Sequence, residues 1–394
     1  MELSRKAKDI SASVTLAITA KAKKLKSEGI DIVSFGAGEP DFDTPSNIIN
    51  AAESALKNGL TRYTAASGIS ELKQAICEKL KKDNGLDYEE SQIVISNGAK
   101  HSLYNALFAI CNDGDEVIVP RPYWVSYPEL VKLVGATPVF VDTLEENDFK
   151  YKVSDLKSAI TNKTKAIILN SPNNPTGAVY SEEEIKDIAK LVEENDLFVI
   201  SDEIYEKLVY NDTKHISIAS LSNELKERTI VINGVSKAYA MTGWRIGYAA
   251  ANKEVSKVMS NFQSHATSNP NSIAQYASVE AIKGSQEDVI KMNQEFCKRR
   301  DFMVDKVNSI EGLSCRKPKG AFYVMVNISN FIGKTLHGKN ITCSVDFCDA
   351  LLDFAKVAAI PGSGFGADNY IRLSYATSME IIEEGLNRIE SFVK

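Results

Sequence analysis

Ala166-Ile167-Ile168-Leu169 is followed by Ser171-Pro172-Asn173-Asn174-Pro175-Thr176-Gly177, then by Ser181 to Glu194, then by Phe198-Val199-Ile200. The two short apolar runs show no polar alternation, so each reads as a strand buried on both faces. The stretch between them reads as a helix, and Ser181 with Glu184 forms a capping box at its start. Strand, helix and strand in that order predict a largely parallel sheet covered by helices.

The same texture extends from about Ser46 to Lys283. Further strand-like runs are Gln92-Ser96, Glu116-Val119, Pro138-Val141 and Ile230-Ile232, with helix-like stretches at Ser102-Cys111 and Tyr127-Val134. After about Gly284 the pattern changes. A charged helical stretch from Ser285 to Ser309 precedes a strand at Phe322-Val326, a helix at Val345-Phe354, a strand at Tyr370-Ser374 and a last helix from Ser378 to Val393. This predicts an α/β fold with a large domain and a smaller α+β domain, as the length of 394 residues also suggests. Near the start, Val14 to Glu28 reads as a lysine-rich helix closed by Gly29. Asp31 to Phe35 then leads into a loop from Gly36 to Pro45, rigid at its prolines and open to a ligand at its glycines.

Bulk properties exclude several classes. The net charge is −6 without a basic block, which argues against a nucleic-acid partner. No apolar run approaches the roughly 20 residues needed to span a bilayer, and no apolar segment follows the charged N-terminus as a secretory signal requires. Cys77, Cys111, Cys297, Cys315, Cys343 and Cys348 include no C-x-x-C pair and have no histidine at zinc-ligand spacing. They read as reduced thiols of a cytoplasmic protein with no metal site.

In open α/β sheets, ligands bind beyond the carboxyl ends of the strands. Four groups of chemically capable residues fall there: Gly98-Ala99-Lys100, Asn174, Asp202 and Lys237. Lys237 follows the strand Thr229-Ile230-Val231-Ile232-Asn233 in a loop of small residues, Gly234 to Gly247. A lysine there can be an ordinary solvated side chain. It can also enter a cleft and form a Schiff base once desolvation or a nearby cation lowers its pKa. Arg245, eight residues on, offers a planar fork for a phosphate. A Schiff-base lysine beside a phosphate-binding arginine is what pyridoxal 5′-phosphate requires.

The spacing of Lys237, Gly243, Arg245 and Gly247, together with Ser171 to Gly177, resembles the class I/II pyridoxal-phosphate-dependent aminotransferases, and most of all the bacterial aspartate aminotransferases among them. The resemblance runs from Gly36 to the last helix. It implies fold type I, with a large domain at 46–283 and a small domain built from both chain ends, 1–45 and 284–394. It implies that Lys237 anchors the cofactor and shuttles the proton, that Asp202 keeps the ring nitrogen protonated, and that Tyr205 and Asn174 face the ring's phenolic oxygen. Gly98, Ala99 and Arg245 would hold the phosphate, and Trp124 would stack on the ring. Tyr63 would reach the phosphate of a partner subunit, making the active unit a homodimer with shared sites. Gly38 and Arg372 would bind the substrate, Arg372 as a bidentate clamp on the α-carboxylate. Lys100 would pair with a distal carboxylate; a cation at a helix N-terminus opposes the helix dipole, which favours such a role.

The expected reaction is transamination of L-aspartate with 2-oxoglutarate. Alternatives on the same scaffold are an aromatic or other aminotransferase, or a β-lyase. A non-catalytic regulator is a third, against which stand the full set of catalytic positions and the absence of a helix-turn-helix extension.

Overall fold

The computed structural model describes residues 2, 4, 8–11 and 14–394. Among these residues, β2 (Ile93–Ser96), β3 (Glu116–Arg121), β4 (Thr137–Asp142), β5 (Thr164–Asn170), β6 (Phe198–Asp202), β7 (Thr229–Gly234) and β8 (Gly247–Ala250) make a seven-stranded sheet in the order β2-β8-β7-β6-β5-β3-β4. β8 runs antiparallel to both neighbours, and all other pairs are parallel.

The uninterrupted apolar runs have the predicted cause: both faces of the sheet are covered. Val117, Val119, Ala166, Ile168, Ile200, Ile230 and Ile232 pack on one side with Leu103, Leu107, Tyr127, Val131 and Met259, which come from helices Ala99–Ile110, Ser126–Leu133 and Lys253–Ala266. The alternate residues Ile118, Ile167, Leu169 and Val199 pack on the other side against Ile185, Ile188 and Val192 of helix Glu182–Glu194. Ser181 caps that helix and forms the predicted box with Glu184.

A second sheet has the order β14-β15-β10-β9, formed by β9 (Ser314–Cys315), β10 (Tyr323–Asn327), β14 (Ile360–Pro361) and β15 (Tyr370–Ser374), all antiparallel. The early chain joins this region: β1 (Val33–Ser34) pairs with β13 (Val357–Ala358), and the Ser374 N–H donates to the Phe35 carbonyl at 2.9 Å. The Gly36–Gly38 loop is thereby fixed beside β15.

The sequence reading contains no strand at 247–250, because Gly-Tyr-Ala-Ala has no β-branched residue and no alternation to mark it. It also lacks the helices Ser46–Lys57, Ser70–Asn84, Lys253–Ala266 and Ser272–Lys283. The Val345–Phe354 helix proves to be an α-helix, Ser344–Ala350, that widens into a π-turn over Leu351–Ala355.

A buried polar network lies beneath β6. Glu206 pairs with Lys79, and Asn84 bridges them, accepting from Lys79 at 2.7 Å and donating to Glu206 at 3.0 Å. Glu203 accepts from Ser201 and Ser217 and sits 3.0 Å from Nε2 of His215. Burial alone would raise the Glu206 pKa, but Lys79 and His215 outweigh it and hold the carboxyl well below its usual range. Burial would lower His215; Glu203 and Glu206 outweigh it and keep the imidazole above its usual value. A lysine and an imidazole therefore face two carboxylates in this network.

Removing one member leaves a buried charge without its partner. Lys79→Met should cost about 3–5 kcal/mol in denaturant unfolding at neutral pH. Because the folded-state pKa of Glu206 is depressed, its stabilisation is present above the ordinary glutamate value and is lost as pH falls through the lower one. The variant should lose that part of the acid dependence, and wild-type stability at neutral pH would refute this account of the network.

Candidate active site

The strand register sets the site. Asn170 pairs with Asp202 across β5 and β6, and Gly234 pairs with Gly247 across β7 and β8. The carboxyl ends of β2, β5, β6 and β7 therefore reach one edge of the sheet, where a cavity of about 370 Å³ opens. Gly38, Ala99, Lys100, Trp124, Asn174, Asp202, Tyr205, Lys237, Arg245 and Arg372 all line it, as expected from the sequence.

Lys237 is half-buried, and its Nζ donates to the Gly38 carbonyl at 2.5 Å. It lies 5.9 Å from the ring centres of both Tyr205 and Phe322. Asp202 is buried at the end of β6, where its Oδ1 accepts from the Ile204 N–H at 3.3 Å and its Oδ2 from the Tyr127 hydroxyl at 2.6 Å. Asn170 ties the next turn to this strand end: its Nδ2 donates to the Asp202 carbonyl at 3.0 Å and its Oδ1 accepts from the Asn174 N–H at 2.9 Å.

Arg245 has a left-handed backbone at φ 60° and donates to the carbonyls of Thr242 and Asn97. Its guanidinium occupies the space that a side chain at Gly98 would fill, and the φ of +86° at Gly98 favours glycine there. The fork thus lies on the N-terminus of helix Ala99–Ile110, whose first N–H groups have no intrahelical acceptor. Arg372 is 2% exposed on β15. It donates to Asn174 Oδ1 at 3.1 Å and to the Gly36 carbonyl at 3.4 Å, and its Nε has no partner among the described residues. Its guanidinium lies 4.2 Å from the ring centre of Tyr323. Lys100 lies 4.8 Å from that of Trp124. Tyr63 stands apart from the cavity, 93% exposed.

Residues 30–389 match the family described as aminotransferase class I and II. The chain belongs to this family. It is 52% identical over 393 residues to an aspartate aminotransferase of Bacillus sp. (strain YM-2), covering 100% of this chain and 99% of that one. It is 48% identical to a probable aspartate/prephenate aminotransferase of Rickettsia felis, covering 98% and 95% of the two chains. Its structure matches the crystal structure of the Rhizobium meliloti aspartate aminotransferase with a TM-score of 0.96 at 43% identity, covering 100% and 98%. The Thermus thermophilus aspartate aminotransferase with maleate matches with a TM-score of 0.94 at 41% identity, covering both chains fully.

The electrostatics of this aminotransferase follow from burial. Desolvation pushes the Lys237 amine down to about 8; Glu39 opposes this, while Arg372 and Arg245 assist it. Burial raises the Asp202 carboxyl to about 6, and the hydrogen bonds from Tyr127 and Ile204 limit the rise. Partial burial and the Arg245 cation lower the amine of Lys100. Burial lowers Arg372 as well.

The cavity residues to which the sequence reading gives no role include Tyr127, Ser236 and Tyr323. Ser236 adjoins Lys237 and was within reach of that reading. Tyr127 sits in the first turn of a helix that follows Trp124 directly, a position close to the ligand edge. Tyr323 comes from β10, and only the pairing of β10 with β15 brings it under Arg372.

Tyr127→Phe removes one of the two hydrogen bonds that keep Asp202 ionised. A bond to a charged group is worth about 1.5–3 kcal/mol, so the carboxyl should titrate at least about one pH unit higher. Difference infrared spectroscopy of the Asp202 carboxyl would measure this, and an unmoved band titration would deny Tyr127 that role.

Proposed function

We propose that this aminotransferase exchanges amino groups between L-aspartate and 2-oxoglutarate, giving oxaloacetate and L-glutamate, with pyridoxal 5′-phosphate as cofactor. One observation carries the reading. Lys100, Lys237, Arg245 and Arg372 line one cavity, and Asp202 is the only carboxylate among the described residues lining it. Such a site suits a phosphate together with a dicarboxylate. The Thermus relative named above is described with maleate, a four-carbon dicarboxylate.

The side chains fit the cofactor. Arg245 lies over the N-terminus of helix Ala99–Ile110, whose first-turn N–H groups lack intrahelical acceptors, which suits a phosphate. Asp202 suits a protonated ring nitrogen. Asn174 gives its oxygen to Arg372, leaving its amide nitrogen to donate with Tyr205 toward a phenolic oxygen. Lys237 would hold the aldehyde carbon, and Trp124 would cover the ring. When bound, the cofactor supplies a carbonyl that condenses with amines and a protonated ring that withdraws electrons from the bond broken at the substrate α-carbon.

The protein's part follows. Arg372 clamps the α-carboxylate; its burial makes a charged partner more valuable than water would. Lys100 fixes the distal carboxylate. Lys237, its amine held near 8 rather than in the usual lysine range, would take the proton from the substrate α-carbon and return it at the cofactor's C4′. Asp202 remains charged and holds the ring proton in place throughout.

The reading extends to assembly. Residues 46–283 would form the large domain, and 1–45 with 284–394 the small one; each of the two main sheets lies within one of these parts. Exposed Leu56, Leu60 and Tyr63 support a second copy covering this face, with Tyr63 reaching the partner's phosphate. Six free cysteines support a cytoplasmic location, and no helix among the described residues is long and apolar enough to cross a membrane.

Lys237→Ala should abolish labelling by pyridoxal phosphate fixed with borohydride; a label on another lysine of the variant would sink the assignment. In cofactor-free wild type, the loading rate should rise with pH through a midpoint near 8, whereas a midpoint near 10.5 would contradict the buried amine. Lys100→Met should raise KM for aspartate and 2-oxoglutarate about tenfold or more and leave KM for alanine unchanged. Equal effects on all three substrates would remove Lys100 from side-chain selection.

A further inference from the structure

Tyr323 lies between two groups that the proposed reaction uses separately. Its hydroxyl is 3.0 Å from the hydroxyl of Tyr205, and its ring centre is 4.2 Å from the Arg372 guanidinium. Tyr323 is fully buried, lines the cavity, and meets the Tyr205 ring edge-on with centres 5.9 Å apart. Both phenols are therefore held in one orientation by their surroundings.

Each phenol has a single proton to donate. Tyr205 needs its own proton for the cofactor's phenolic oxygen, so its oxygen is left as an acceptor toward Tyr323. The cation on the face of the Tyr323 ring draws electron density from it and makes its hydroxyl the stronger donor of the two. A chain of hydrogen bonds polarises along its length, so a donor behind Tyr205 makes Tyr205 a better donor in front.

We propose that Tyr323 is a positioning residue with two separable parts: its hydroxyl donates to Tyr205 and strengthens that residue's bond to the cofactor, and its ring is the platform that holds Arg372 flat for the substrate carboxylate. This rests on the reading of the cavity given above. The Phe322 side chain does not duplicate it, because that ring has no hydroxyl and packs on Phe296 and Tyr205 in the core.

Two variants divide the parts. Tyr323→Phe keeps the ring and removes the donor. A weaker bond from Tyr205 leaves the cofactor oxygen more basic, so the pH midpoint of the visible absorbance of the loaded enzyme should rise by about half a unit, with kcat falling and KM for aspartate within twofold of wild type. Tyr323→Leu removes the platform as well and should raise KM for aspartate several-fold beyond the phenylalanine variant. Borohydride labelling is run on all three proteins alongside circular dichroism. Labelling at Lys237 with an unmoved midpoint in Tyr323→Phe overturns the hydroxyl's role, and equal KM values in the two variants overturn the ring's. Labelling at a lysine other than Lys237 overturns the reading of the cavity and this inference with it.

Discussion

Three backbones meet at one edge of the large sheet with no room for a side chain. A Cβ on Gly247 would collide with the backbone nitrogen of Ala99, and one on Gly234 would stand 2.8 Å from the Gly247 Cα. This contact brings the end of β7, the start of β8 and the first turn of helix Ala99–Ile110 together. Lys237 follows the first, Arg245 precedes the second, and Lys100 lies in the third. Each cation lies within three residues of the contact, and its position depends on that contact. The left-handed backbone at Arg245 and the glycine beneath its guanidinium belong to the same constraint.

The cavity is also defined by what is missing from it. Arg372 is buried among a carbonyl, an amide oxygen and two aromatic rings, without a carboxylate partner among the described residues. Elsewhere the fold pairs its buried charges carefully, as Lys79, Glu206, His215 and Glu203 do. The contrast matters because an unneutralised buried cation is costly. It persists where the remaining structure is stable enough to hold it, and under the proposed reading it awaits a substrate carboxylate.

Much of the fold was legible because it rests on local pattern. Buried parallel strands have to be continuous apolar runs, and the capping box at Ser181 marks a helix start unambiguously. Residues at strand ends were legible for the same reason, since the topology of an open sheet puts them on one edge. Strand β8 was not, because Gly-Tyr-Ala-Ala becomes a strand only between two others. Tyr323 and Tyr127 were hidden differently. Their neighbours, Arg372 and Asp202, lie 49 and 75 residues away in sequence, and no local spacing reports such pairings. Substrate preference was legible only through resemblance, since Lys100 by itself is a lysine opening a helix.

The side chains that meet at the cavity are carried by three different elements. Lys237 is carried by the loop after β7, Arg372 by the central region of the small sheet, and Lys100 by a helix on one face of the large sheet. Under the proposed reading, proton transfer, recognition of the amino-acid backbone and choice of side chain reside on separate supports. A change at position 100 leaves the hydrogen bonds of Asp202 and Arg372 intact. Such a scaffold can be retuned for a different amino acid by local drift at one helix, with the reactive machinery inherited whole.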